Sequence, residues 1–209
     1  MRKHTLFLML LVLISFKAYP QISFGIKGGA NYVNNVSSDS DNDNMFRFGF
    51  HFGISSSIQL SNKFLFSPGL MFSNKGFKFA GLAGGTPSGD GTMHLNYLNL
   101  PLIIGYKFHE KLLIEGGTEF GYLMSAKSKF DSETIDVSDI WDNNLDIGLL
   151  LGFKVLLNDK IDLGLRYIHG LTSVVETVGL TDLNGNPTNG DSSKFLNRTI
   201  QLSLGYTFN

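Results

Sequence analysis

The stretch Thr199-Ile200-Gln201-Leu202-Ser203-Leu204-Gly205-Tyr206-Thr207-Phe208 decides the fold. Ile200, Leu202, Leu204, Tyr206 and Phe208 fall on one face; Thr199, Gln201, Ser203, Gly205 and Thr207 fall on the other. An unbroken period of two marks a β-strand with one apolar and one polar side. A strand of a soluble sandwich can carry the same alternation. Here the pattern recurs along the whole chain, and an export signal precedes it. Together these predict a closed antiparallel barrel with lipid outside and a polar interior.

The signal lies in residues 1–20. Arg2, Lys3 and His4 give a basic start, and Leu6 to Phe16 is apolar apart from Ser15. A helix needs about 20 apolar residues to cross a bilayer, so this run is too short to span. It fits the hydrophobic region of a secretory signal peptide. Cleavage before Gln21 puts Ala18 at the usual small position but leaves Pro20 beside the cut; cleavage after Ala18 is the alternative. Residues 21–209 are read as one barrel domain. Without Arg2, Lys3 and Lys17 the chain has 14 basic and 18 acidic residues, so no basic excess points to nucleic acid. It has no cysteine, which excludes a disulfide framework and an acylated-cysteine anchor. Its 24 glycines and 18 phenylalanines suit a barrel, with small residues where the interior is crowded and aromatics at the membrane interfaces.

Seven further alternating stretches precede the first, at about 22–32, 45–60, 64–79, 94–108, 112–125, 142–157 and 161–175. The second sets Phe46, Phe48, Phe50 and Phe52 against Arg47, Gly49, His51 and Gly53. In water such a stripe invites aggregation; against lipid it is at home. Short turns at 61–63, 109–111 and 158–160 alternate with long loops at 33–44, 80–92, 126–141 and 176–195. This predicts an all-β, eight-stranded transmembrane barrel in the outer membrane of a Gram-negative bacterium, with periplasmic turns, external loops and both termini on the periplasmic side. The strands exceed the about 9 to 11 residues that a bilayer requires, so several should project beyond it. A soluble barrel would place its apolar residues inside. Here the apolar face is continuous and the other face mixes glycine with charge.

Tyr97-Leu98-Asn99-Leu100-Pro101-Leu102 resembles the Tyr-Leu-x-Ile-Pro-Leu motif of the porin-like outer-membrane β-barrel proteins of the Bacteroidetes. Ser67-Pro68-Gly69-Leu70 through Asn74-Lys75-Gly76 resembles their preceding strand, and Phe24-Gly25-Ile26-Lys27-Gly28-Gly29 their opening. The resemblance covers about 21–209 and includes a PorT-like branch. It implies a barrel and is nearly silent on function. Gly205-Tyr206-Thr207-Phe208 looks like the carboxy-terminal signal read by the barrel assembly machinery, with Tyr206 and Phe208 as its aromatics. That signal usually ends on the aromatic itself, and Asn209 departs from it.

The candidate chemistry is a set of inward charges: Lys27, Arg47, His51, Lys75, Lys107, Glu115, Glu119, Asp146, Lys154, Asp162 and Arg166. An eight-stranded barrel is just wide enough for side chains to fill. Charges inside it must pair or meet water, because an unpaired buried charge is costly. They form either a packed, salt-bridged lumen or a narrow polar conduit. Glu115 and Glu119 make a weak acid pair with no supporting constellation. Asp39, Asp41 and Asp43 begin like a calcium loop, but Asn44 and Phe50 stand where Gly and Glu are needed. No metal site, cofactor site or nucleophile elbow emerges. Gly84 to Gly91 lacks the Lys of a phosphate cradle and reads as a flexible loop. Tyr32, Tyr97, Tyr122, Trp141, Tyr167 and Tyr206 read as interface anchors.

The expected function is therefore non-enzymatic: a structural or interaction barrel meeting partners through its external loops. A narrow porin is the alternative, and an enzyme at the loop rim ranks last. Expected partners are outer-membrane lipid and lipopolysaccharide, the barrel assembly machinery, and an unidentified protein at the loops.

Overall fold

The computed structural model describes residues 22–37, 45–83, 86–130, 133–138, 144–172 and 195–208. Residues 1–20, read as a signal peptide, the Asp39–Asp43 run, Trp141, residues 176–194 of the last loop and Asn209 lie outside them. Ten strands form: β1 Ile22–Ser37, β2 Arg47–Gln59, β3 Phe64–Lys75, β4 Lys78–Ala83, β5 Thr86–His109, β6 Leu112–Phe130, β7 Glu133–Asp136, β8 Leu145–Leu156, β9 Ile161–Gly170 and β10 Phe195–Thr207. All pairings are antiparallel. Eight strands close a ring in the order β5-β3-β2-β1-β10-β9-β8-β6, with β6 returning to β5. Thr199–Phe208 forms most of β10, which seals the ring against β1.

The alternation falls as the sequence predicts. Side chains of β8 and β9 switch between exposed and buried almost residue by residue. Phe48 is 74% exposed, and Phe50, Phe52, Leu151, Leu165, Leu202 and Leu204 are all more than half exposed. Their neighbours Arg47, His51, Gln201 and Ser203 are buried. A barrel that is apolar outside and polar inside is stable only in lipid. Phe50, Phe52 and Phe72 pack against one another on this outer face. Arg in place of Phe52, near the middle of β2, should cost about 2–4 kcal/mol in phospholipid vesicles. An unchanged urea midpoint for that variant would place Phe52 away from the hydrocarbon.

The short turns sit on one rim and are tied locally. Asn158 Oδ1 accepts from the backbone N–H groups of Lys160 and Ile161, both at 2.8 Å. Ser61 Oγ caps the turn before Phe64 in the same way. The ends of β1 and β10 meet at this rim, where Phe208 N–H donates to Phe24 O at 2.9 Å.

At the opposite rim the structure corrects the loop boundaries. The stretch 80–92, read as a long loop, carries paired strands on both sides of residues 84–85: β4 ends at Ala83 and β5 begins at Thr86. The third stretch, read as running to Phe79, stops at Lys75. Gly76 turns the chain with a φ of 127°, where a side chain would also strike the carbonyl of Met93. The loop read over 126–141 contains the end of β6 and all of β7. Strands β4 and β7 thus flank the long β5–β6 hairpin and extend the wall beyond the ring. Glycine and serine content suggested a loop, but the pairing of β5 with β6 continues up to Gly91 and Phe130 and gives the added strands an edge to join.

Candidate functional site

The buried charges among the described residues gather in the lumen, and it is layered. Nearest the short turns is a first ion network. Glu115 on β6 receives Lys154 Nζ at 2.9 Å and Arg166 Nε at 2.7 Å on its two oxygens. Lys27 on β1 lies 3.6 Å from Asp162 on β9. Above it Ile103, Leu150 and Ile168 form a buried apolar cluster. The register fixes this order: Glu115 faces Gly105 and Gly152, Glu119 faces Pro101 and Gly148, and Ile103 and Leu150 lie between.

The second network lies above that cluster. Lys75 Nζ contacts Glu119 at 3.0 Å and Asp146 at 3.2 Å, and sits 5.0 Å from the centre of the Tyr97 ring. Asn99 Nδ2 donates to Glu119 at 2.7 Å, and Asn197 Nδ2 donates to Asp146 at 2.8 Å. Leu95, Tyr97, Leu123 and Ala126 then close the outer end, with Phe77, Met93 and Val137 packed on them. The bulge that pairs Asn96 with Ser125 but Tyr97 with Leu123 helps bring these apolar side chains inward.

The wall made by β1, β2, β3 and β10 is built from amides and hydroxyls instead of ion pairs. Asn31 Nδ2 donates to Phe50 O, Ser73 Oγ and Asn74 O, which turns its Oδ1 toward His51 Nδ1 at 2.9 Å. That contact places the proton on Nδ1, so His51 Nε2 accepts from Ser203 Oγ at 3.0 Å. Ser203, His51 and Asn31 therefore stand in the geometry of a nucleophile relay. All three are buried, and none of them lines the cavity of the lower lumen. Arg47 donates to Lys75 O and Asn74 Oδ1, both at 2.7 Å, and lies 2.7 Å from His94 Nδ1.

Ten of the eleven predicted charges thus line the lumen. Lys107 is the exception: it is half-buried at the rim of the short turns and outside both networks. Glu115 and Glu119 belong to separate networks and do not form an acid pair. Tyr97, read as an interface anchor, is 0% exposed and sits inside. Its parity with Asn99, Pro101 and Ile103 carried that information. Tyr32, Tyr122, Tyr167 and Tyr206 do face outward. Tyr206 and Phe208 make an edge-to-face pair at 5.8 Å on the outer surface near the short-turn rim. The lumen residues that charge-based reading passed over are Asn31, Ser73, Asn74, Asn99, Asn197 and Ser203. Inward parity was the signal for all of them except Asn74, which shares the parity of the outward Leu70 and Phe72 and is buried at the end of β3.

Beyond the ring, Asp136 accepts from Ser138 Oγ at 2.6 Å and from Ser138 N–H at 2.9 Å. These bonds hold its carboxyl below the usual carboxylate range.

A family model described as outer membrane protein beta-barrel domain matches residues 18–176. No curated protein sequence matches the chain. Among solved structures, neisserial surface protein A is similar with a TM-score of 0.56 at 13% identity, covering 90% of this chain and 99% of that one. A major outer membrane protein from Thermus thermophilus is similar with a TM-score of 0.51 at 18% identity, again covering 90% and 99%. At these identities the likeness is one of fold.

Proposed function

This chain belongs to the outer membrane protein beta-barrel domain family and resides in the outer membrane of a Gram-negative bacterium, and from that premise we propose that it acts there as a non-enzymatic structural and interaction barrel. The observation that carries the reading is the layered lumen. Two ion networks are separated by Ile103, Leu150 and Ile168, and the outer end is filled by Leu95, Tyr97, Leu123 and Ala126. An ion crossing an apolar layer loses its hydration with nothing in return. The filled interior favours a closed barrel, and the projecting β4–β7 wall is the part positioned to meet a partner outside.

Single-channel recording of the refolded protein in a planar bilayer tests this. Insertion without conductance steps is expected. Steady, reproducible steps would overturn the closed reading and favour the narrow porin, with Ile103, Leu150 and Ile168 parting to open it. For the interaction half, replacing 78–91 by a short turn should leave insertion intact and remove the cell-surface phenotype of the gene. An unchanged phenotype would count against the projecting wall as a contact surface.

Within the family, the Tyr97–Leu102 and Ser67–Gly76 motifs support placement with the porin-like, PorT-like proteins of the Bacteroidetes. The basic start and apolar run of residues 1–20 support an export peptide. The exposed Tyr206–Phe208 pair supports recognition by the barrel assembly machinery, and the lipid-facing aromatics support contact with membrane lipid and lipopolysaccharide.

A further inference from the structure

The lower lumen contains a cavity of about 20 Å³, walled by Lys27, Lys154, Arg166 and Asp162 together with serines that include Ser55 and Ser67. We propose that this cavity binds a small inorganic anion of the halide class, entering from the periplasmic rim where Ser23 and Thr207 complete the wall.

Charge supplies the first reason. Lys27, Lys154 and Arg166 bring three cations to this end of the lumen, while Asp162 and the adjoining Glu115 bring two carboxylates. Glu115 is shared by Lys154 and Arg166, and Lys27 meets Asp162 only at 3.6 Å. One positive charge is left without a carboxylate of its own. A buried charge of that kind is costly until an opposite charge joins it.

An unused donor supplies the second. The Arg166 side chain is 4% exposed and spends its Nε on Glu115, yet its Nη2 is buried and donates no hydrogen bond among the described residues. A guanidinium N–H left in that state loses its hydration without a replacement. The cavity beside it is where an acceptor belongs. Water would satisfy the N–H but would not balance the charge; an anion does both.

Size then restricts the ligand. Pockets for organic molecules run to about 300–1,000 Å³. A space of about 20 Å³ suits a monatomic anion and excludes sugars, nucleotides and phospholipid headgroups. Lys27, Lys154 and Arg166 offer only donors to such an ion and the serine hydroxyls can donate to it; Met71, Pro101 and Ile103 add an apolar side, and the one carboxylate in the wall, Asp162, faces Lys27.

Chloride-35 line broadening on the refolded full barrel in zwitterionic micelles tests the site. Broadening above that of empty micelles, competed by bromide and not by gluconate, is expected. Ser67→Asp should abolish it, because the new carboxylate supplies a tethered anion. The thermal midpoint should rise with chloride at constant ionic strength in the unmodified protein and stay flat in Ser67→Asp. Arg166→Gln should also lose the broadening, and if it fails to fold, Ser67→Asp still carries the test. Broadening no greater than that of empty micelles, or equal in the parent and in a folded Ser67→Asp barrel, overturns the proposal.

Discussion

Replacing Lys75 by methionine should destabilise the barrel by about 3–5 kcal/mol, the loss expected when one member of a buried ion group is removed. Lys75 is 1% exposed, and its ammonium is the shared partner of Glu119 and Asp146. Methionine keeps much of the length and apolar volume of the stem, so packing changes little. What remains is two carboxylates in a space sealed by Tyr97 and Leu95 above and by Ile103 and Leu150 below. Asn99 and Asn197 can donate to them but cannot neutralise them. The measurement is the urea midpoint of the refolded protein in phospholipid vesicles. Adding Glu119→Gln and Asp146→Asn to the same variant should recover most of the loss, since no uncompensated charge then remains. A loss under about 1 kcal/mol for Lys75→Met would mean that water hydrates these carboxylates and that the lumen is wetter than its packing implies.

Glu115→Ala should cost a similar amount, about 3–5 kcal/mol, by the mirror-image argument. Its removal leaves Lys154 and Arg166 facing each other with Lys27 close by. Two bonds of 2.9 and 2.7 Å are lost, and the alanine leaves a void as well. Glu115→Gln separates the two contributions. It retains the volume and an acceptor for Arg166 Nε but turns an amide N–H toward Lys154, so it reports the lost charge and the lost Lys154 contact without the void. The networks of Glu115 and Lys75 share no partner, and the apolar layer stands between them. Losses in the double variant Glu115→Ala, Lys75→Met should therefore add to within about 0.5 kcal/mol. A large deviation would mean that the networks communicate through that layer.

The ring was legible because a transmembrane barrel writes its two environments into alternate residues, and Thr199–Phe208 and Leu145–Leu156 show it with few interruptions. Inward charges were legible by the same parity. Their pairings were not, because each joins residues far apart in sequence: Lys75 meets Glu119 and Asp146 only through the shear of the closed sheet. The apolar layers were partly legible, since Ile103 shares the parity of Asn99 and Leu150 that of the inward Asp146 and Lys154. Their sealing role depends on Ile168 arriving at the same height from β9. Composition misled at Thr86–Gly91, where strand pairing overrode a loop-like sequence, and at Tyr97, whose parity outweighs its residue type.

The seam between β1 and β10 joins opposite ends of the chain through thirteen register pairs, from Gly25–Thr207 to Ser37–Phe195. These are among the most non-local contacts the polypeptide makes, and such contacts delay folding because the entropy of closure is lost before the bonds repay it. Until β10 arrives, the sheet has two bare edges, and bare edges pair with other chains. A polypeptide cut short before Phe195 therefore has no smaller ring to fall back on; it remains an open, adhesive sheet. The arrival of β10 decides whether the strands before it become a barrel or an aggregate.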